Sequence, residues 1–158
     1  MLTPEEVTIV QHLLIEDEGM ELLPYFDCCG KFFRKCSCVS DGKRQGKLSI
    51  GVGRNIEDIG ISENEAMGLE LNDVIRVNLE IARAFSWFGK LNTPRRVVIV
   101  SMCFNLGLAG LKEFKKMITS IESGDFESAG NQMLNSKWAS QIKSRATRLA
   151  KIMKSGQF

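Results

Sequence analysis

At 158 residues, with 44% hydrophobic and 25% charged residues, the chain has the make-up of one compact domain or of two small lobes sharing a helix, which excludes a disordered chain. No apolar run reaches the ~18 residues needed to span a bilayer, and Met1-Leu2-Thr3-Pro4-Glu5-Glu6 lacks the basic and apolar regions of a secretory signal, so synthesis in the cytoplasm without a signal peptide is expected. The net charge of +2 hides an asymmetry: residues 1–89 carry 9 Lys+Arg against 15 Asp+Glu, and residues 90–158 carry 12 against 4. A basic half suits an anionic polymer such as nucleic acid, a membrane surface or cell wall, although Lys and Arg also simply solvate helix faces.

The first predicted helix opens at Thr3-Pro4-Glu5-Glu6, which combines a Thr N-cap, Pro at the first helical position and Glu at the capping-box position. Val7, Val10 and Leu14 follow at helical spacing, with Leu13 beside them. Gly19 is a stop signal that leaves Glu18 at the C-terminal end, where the negative pole of the helix dipole disfavours an ionised carboxylate. Between residues 20 and 60, glycines 30, 42, 46, 51, 53 and 60 punctuate short segments and Lys47 to Val52 alternates like a strand, predicting a small hairpin or three-stranded sheet. Ser62-x-x-Glu65 is a second capping box, opening a long helix to about Ala84 with Ala66, Leu69, Val74, Val77 and Ile81 as expected buried positions.

Thr93-Pro94 starts a further helix containing Val97 to Phe104, which Gly107 and Gly110 are expected to break. Leu111 to Glu122 follows, Asp125 caps a segment to about Leu134, and a basic helix covers Ser144 to Lys154. Cys103 lies in an apolar stretch and reads as a small core residue. Phe85, Trp87, Phe88 and Trp138 read as core or rim aromatics, and His12 as a surface or half-buried residue. The expected architecture is α+β: a small β-sheet lobe (13–61), a connecting helix (62–84), and a larger helical lobe (1–12 and 85–158), in one domain.

Cleavage of a glycosidic bond needs an acid to protonate the leaving oxygen and a second carboxylate on the other face of the sugar. Glu18 at a helix end and Asp27 in the following turn can flank a cleft, but 19 acidic residues allow many such pairs, so spacing alone carries little. The surrounding residues carry more. Ile15-Glu16-Asp17-Glu18-Gly19, Leu22, Tyr25-Phe26-Asp27 and Leu48-Ser49-Ile50-Gly51-Val52-Gly53-Arg54 resemble the pattern of phage lysozymes of glycoside hydrolase family 24, T-even type: Glu-Gly, Tyr-x-Asp, then Thr-Ile-Gly-x-Gly-His. The interval between Glu18 and Asp27 matches the family's. Ser62-x-x-Glu65-Ala66 looks like the start of the family's interlobe helix. Met102-x-Phe104-Asn105-Leu106-Gly107 is similar to its cleft-lining helix, and Ser136-Lys137-Trp138 and Arg145-Ala146 resemble its C-terminal portion. The likeness thus covers nearly the whole chain.

The resemblance implies a lysozyme-like fold and an endo-acting muramidase, monomeric and without cofactor. It would cut the β-1,4 bond between N-acetylmuramic acid and N-acetylglucosamine in bacterial peptidoglycan. It implies Glu18 as general acid and Asp27 as the group that positions or deprotonates the attacking water or stabilises the oxocarbenium-like transition state. Ser49 stands for the family's Thr and keeps the hydroxyl that helps hold this water. Arg145 matches an arginine that pairs with the catalytic glutamate, and Phe104, Asn105 and Gln132 match sugar-binding positions. Inversion at the anomeric carbon is implied, for which the carboxyls sit ~6.5–9.5 Å apart. Arg54 replaces a histidine that pairs with a carboxylate far from the chemistry, and arginine keeps such an ion pair. The expected setting is a cytoplasmic endolysin that reaches the periplasmic wall through a membrane lesion made by another protein, with neither nucleic-acid binding nor stable membrane insertion.

The main departure lies between Asp27 and Ser49, where the T-even pattern has five residues and this chain has 21. This insertion (28–47) holds Cys28, Cys29, Cys36 and Cys38, together with Phe32, Phe33 and the basic Lys31, Arg34, Lys35, Lys43 and Arg44. Three readings stay open: disulfides in an oxidising compartment, free thiols packing a loop, or a zinc site whose adjacent cysteines fit the usual Cys-x2–4-Cys spacing poorly. Two other functional classes compete with the enzyme: a cell-wall-binding protein that lost turnover through Ser49 or the insertion, and a nucleic-acid binder using the basic C-terminal helices.

Overall fold

A computed structural model describes residues 2–29, 31–32, 38–40 and 43–158, with 31–32, 39–40 and 43–44 described by backbone alone. Contacts divide the chain into two compact units, Met1–Ala66 and Met67–Phe158. The first unit includes the whole N-terminal helix, whereas the sequence expectation grouped residues 1–12 with the helical lobe.

In the first unit, α1 (Pro4–Glu18) starts as its sequence dictates. Glu6 N–H donates to Thr3 Oγ1 at 3.2 Å, and Thr3 N–H donates to Glu6 Oε2 at 2.7 Å. Gly19 ends the helix at φ 75°, a conformation that glycine adopts without steric cost. The helix buries none of its residues.

The strands β1 (Glu21–Phe26), β2 (Lys31–Phe32), β5 (Leu48–Gly51) and β6 (Arg54–Asn55) form an antiparallel sheet in the order β2-β1-β5-β6. It has one strand more than the largest sheet expected, because the start of the insertion adds β2. A separate hairpin pairs β3 (Val39–Ser40) with β4 (Lys43–Arg44). The β1–β5 register shifts between Glu21 and Tyr25. Pro24 lies in that interval and has no N–H to give the ladder, which accounts for the irregularity.

The second unit is helical, built from most of α2 (Glu63–Ala84), then α3 (Thr93–Lys112), α4 (Lys115–Glu122), α5 (Phe126–Leu134), α6 (Lys137–Ile142) and α7 (Ser144–Ser155), with a 3-10 turn at Phe88–Lys90. Its core joins Val77 and Ile81 of α2 to Trp87, Phe88, Val98, Ile99, Met102, Cys103, Leu111, Met117, Met133, Trp138, Leu149 and Met153. The aromatic and Cys103 expectations agree with this. Leu69 and Ala66, expected to be buried, are exposed, and Val74 is half-buried, so α2 gives the second unit's core only its C-terminal half.

Ser62 and Glu65 form the expected capping box, with Ser62 N–H donating to Glu65 Oε2 at 2.7 Å and Glu65 N–H to Ser62 Oγ at 3.3 Å. Gly107 kinks α3 at φ 70°, ψ 164°, but Gly110 does not end it. Gly110 keeps helical torsions, which cost glycine only entropy, and so α4 begins at Lys115 rather than near Leu111. The short α6 is an element beyond those the sequence predicts, and Ser136 caps it by accepting from Ala139 N–H at 3.1 Å.

Contrary to the sequence expectation, α3 is long and apolar enough to cross a bilayer by length and composition, with a mean hydropathy of 1.2. Its kink and its buried Val98, Ile99, Met102, Cys103 and Leu111 mark it as the core helix of the second unit. Arg95 ties the start of α3 to the end of α7: its Nε donates to Met153 O at 2.9 Å and its Nη2 to Lys154 O at 3.1 Å, with the guanidinium 3.6 Å over the Phe126 ring.

Candidate active site

The first unit carries the three residues expected to do chemistry. Glu18 is the last residue of α1 and is exposed. A methyl group at Gly53 would sit 3.9 Å from Glu18 Oε2, so this carboxylate lies beside the turn between β5 and β6. Gly53 itself has φ 68°, a conformation that glycine adopts without steric cost.

Asp27 directly follows β1 and is also exposed. Its backbone N–H donates to Lys47 O at 3.1 Å, and its Oδ1 accepts from Lys47 N–H at 2.8 Å. Two bonds thus tie Asp27 to Lys47, one through its backbone and one through Oδ1 of its carboxylate. Gly46 is the residue that makes this possible. A Cβ there would lie 2.6 Å from Asp27 Oδ1, 2.7 Å from Cys28 Cβ and 2.8 Å from Cys28 N, and its φ is +79°. No side chain fits. Sequence reading singled out neither Lys47 nor Gly46 for this role. The available signal was a glycine next to the strand expected to pair with the segment that carries Asp27.

Ser49 sits on β5 opposite Tyr25 and Asn55 and is 2% exposed. At that burial its hydroxyl has little access to bulk water. Below β5 a polar frame fixes the sheet's end. Glu57 Oε2 accepts from Leu48 N–H at 3.1 Å, Lys47 Nζ pairs with Asp58 at 2.9 Å, and Asn55 Oδ1 accepts from the N–H groups of Glu57 and Asp58. The donated hydrogen bonds from Lys47 and then Asn55 hold the Asp58 carboxyl below the usual carboxylate range. Arg54 makes the expected ion pair, with Glu65 at 3.0 Å, and also donates to Gly60 O at 2.9 Å. Backbone and then side-chain bonds from Ser62, with Arg54 as a lesser cause, lower the Glu65 carboxyl as well.

The second unit carries the residues expected to bind sugar. A groove of about 920 Å³ runs between α2 and α3, lined by Glu70, Val74, Ile75, Asn78, Leu79, Thr93, Arg96, Val97, Val100, Ser101, Phe104 and Asn105, with Arg145 from α7. Apolar walls with a few convergent polar groups are what a saccharide needs, because a sugar ring offers apolar C–H faces and hydroxyl edges. Phe104 is 45% exposed. Asn105 Oδ1 accepts from Trp138 Nε1 at 2.8 Å, which fixes the amide and leaves its Nδ2 as a donor. Arg145 donates to Ser101 Oγ at 2.9 Å. Gln132 does not join this groove: it lines a smaller depression with Glu113, Phe114, Lys115, Lys116, Met117 and Asn135. Glu70 and Arg96, charged groups in the main groove, were not singled out from sequence, where nothing distinguishes them from solvated helix charges.

Of the cysteines in the insertion, the structure brings Cys28, Cys29 and Cys38 together, and Cys36 lies outside the described residues. Burial raises the Cys103 thiol above its ordinary range, consistent with an inert core residue.

Residues 17–152 match the family model described as phage lysozyme. The chain is 29% identical over 157 residues to the pre-baseplate central spike protein Gp5 of Enterobacteria phage T4, with 91% of this chain and 27% of that protein covered, so it spans about a quarter of that relative's length. It is 25% identical over 163 residues to the probable T4-type lysozymes 1 and 2 of Dictyostelium discoideum, with 95% of this chain and 96% of each relative covered.

Proposed function

Because the chain belongs to the phage lysozyme family and is a glycoside hydrolase acting on peptidoglycan, we propose that it is an endo-acting muramidase with Glu18 as acid and Asp27 as base. The observation that carries this reading is the different anchoring of the two carboxylates. Glu18 ends a helix with its carboxyl beside a glycine turn. Asp27 has Oδ1 fixed by the Lys47 amide, so Oδ2 is the oxygen available to a water.

In the proposed reaction Glu18 gives its proton to the glycosidic oxygen as the bond to the anomeric carbon breaks. Asp27 takes a proton from a water attacking that carbon from the opposite face, which inverts its configuration. The proton lost by Glu18 is balanced by the one gained by Asp27, and solvent exchange resets both. Ser49 assists by holding the water, a contribution its burial makes the smallest of the three. Phe104, Asn105 and Arg145 would seat the glycan in the second unit's groove, and the basic residues of the C-terminal half would draw anionic peptidoglycan toward it. The enzyme would act on the periplasmic wall as a monomer, in the setting of bacterial lysis.

The test is release of reducing ends from Gram-negative peptidoglycan by the native chain, Glu18→Gln and Asp27→Asn. Hydrolysis by the native chain and its loss in both folded variants is expected. A native chain that binds glycan without releasing reducing ends, in both oxidised and reduced form, would transfer the reading to a wall-binding protein, which the burial of Ser49 favours among the alternatives.

A further inference from the structure

We propose that Cys28, Cys29 and Cys38 bind a zinc ion at the base of the insertion that follows Asp27, filling three of its four positions and leaving the fourth to water. Their three Sγ atoms lie within 4.8 Å of one another. Thiolates at about 2.3 Å from a tetrahedral zinc stand about 3.8 Å apart, so the observed triangle needs only a small contraction. Adjacent cysteines chelate poorly in an extended chain, where their side chains point to opposite faces. Here the chain turns immediately after β1, with Cys29 N–H donating to Phe26 O at 3.3 Å, and the turn carries both sulfurs to one side. Cys38 arrives from the start of the β3–β4 hairpin, which Gln45 N–H closes by donating to Cys38 O at 2.9 Å. The ligands therefore come from two separate backbone anchors, as a cross-link requires.

A disulfide joins one pair of sulfurs at about 2.05 Å and asks nothing of a third; convergence of three is what a metal ion asks. Thiolate donors select zinc over the hard cations. Among the first unit's described residues only Phe26 and Ser49 are buried, so a metal cross-link would add to a small set of buried contacts. Asp27 immediately precedes the first ligand, so the ion would fix the turn that presents this carboxylate without touching the substrate.

The test uses the full chain purified under reducing conditions. Elemental analysis is expected to find one zinc per chain. After removal by a chelator, Co²⁺ is expected to bind with a thiolate-to-cobalt charge-transfer band. Cys28→Ser and Cys38→Ser should each lose or weaken that band at least tenfold in affinity, while Cys103→Ser, in the second unit's core, keeps it. Retained helical circular dichroism shows that the variants still fold. The proposal is overturned if the reduced chain takes up neither ion, if cobalt binds without the charge-transfer band, or if the Cys28 and Cys38 variants bind as the native chain does. None of these readouts depends on hydrolysis, so failure here and failure of the muramidase reading are distinguishable.

Discussion

The two units are stabilised by different means. The second owes its order to a continuous core in which Ile81, Val98, Ile99, Met102, Leu111, Met133 and Met153 lose essentially all contact with solvent. The first has Phe26 and Ser49 as its only buried residues among those described, and is organised by caps, ion pairs and backbone-to-carboxylate bonds along residues 46–65. The first is also acidic and carries the two carboxylates, whereas the second is basic and carries the groove.

If that division is right, substitutions in the first unit should act mainly on turnover and those in the second mainly on stability. The largest effect is expected for Glu18→Gln and Asp27→Asn, each lowering kcat by about 10²–10⁴-fold with little change in thermal unfolding. Ser49→Ala should cost roughly tenfold or less, the worth of one neutral hydrogen bond. A Ser49→Ala loss as large as that of Asp27→Asn would mean that Ser49, despite its burial, touches the water directly.

Gly46→Ala should fall between these two effects. Its new Cβ cannot occupy a point 2.6 Å from Asp27 Oδ1 and 2.8 Å from the Cys28 backbone nitrogen, so the Asp27 turn must move. A displacement of about 1 Å at a catalytic group lowers rate by about 10²-fold. The check is kcat together with the chemical shift of the Lys47 amide, which should lose its bond to Asp27. An unchanged Lys47 amide with lost activity would place the damage elsewhere.

In the second unit, Ile99→Ala or Met102→Ala should destabilise by about 2–5 kcal/mol in urea unfolding, because each empties a fully closed site. The matched control is Leu22→Ala in the first unit. Leu22 is 77% exposed, and the change should fall within about 0.5 kcal/mol. A large Leu22 effect would show that the first unit has apolar contacts in solution beyond Phe26.

How legible these features were in the sequence follows the same division. Helix starts were legible because their signals are local: Thr3-Pro4-x-Glu6, Ser62-x-x-Glu65 and Asp125 each satisfy amide groups within three residues. The candidate carboxylates were legible because the Glu-Gly and Tyr-x-Asp patterns are short and contiguous. What was not legible depends on partners far along the chain. The Gly46–Lys47 clamp on Asp27 spans 20 residues. The groove joins Glu70, Arg96 and Arg145 from three helices. Leu69 of α2 is exposed where its spacing predicts burial, because a helical period shows which residues share a face but not whether that face is covered along its whole length. Gly107 and Gly110 look equivalent in sequence, yet only the first leaves helical torsions.

The smallest expected effect concerns pH and sharpens the contrast between the units. Asp58 and Glu65 both have folded-state carboxyls lowered from ordinary values of 3.8 and 4.5, through the donors Lys47 and Asn55 for the first and Ser62 for the second. A group with a depressed folded pKa contributes stability that is present above its unfolded pKa and lost as pH falls through the folded one. The first unit should therefore be insensitive to pH near neutrality and loosen below about pH 4.5, as these carboxylates gain protons and release their donors. Both groups are exposed to water, so the change is small and screened by salt. Amide exchange between residues 47 and 65 is the measurement, compared with α3 as an internal reference. In Asp58→Asn and Glu65→Gln the acid-induced rise in exchange should flatten, because the protonating partner is gone. If α3 loosened over the same pH range as residues 47–65, the polar frame would not be a local device, and the two units would unfold as one.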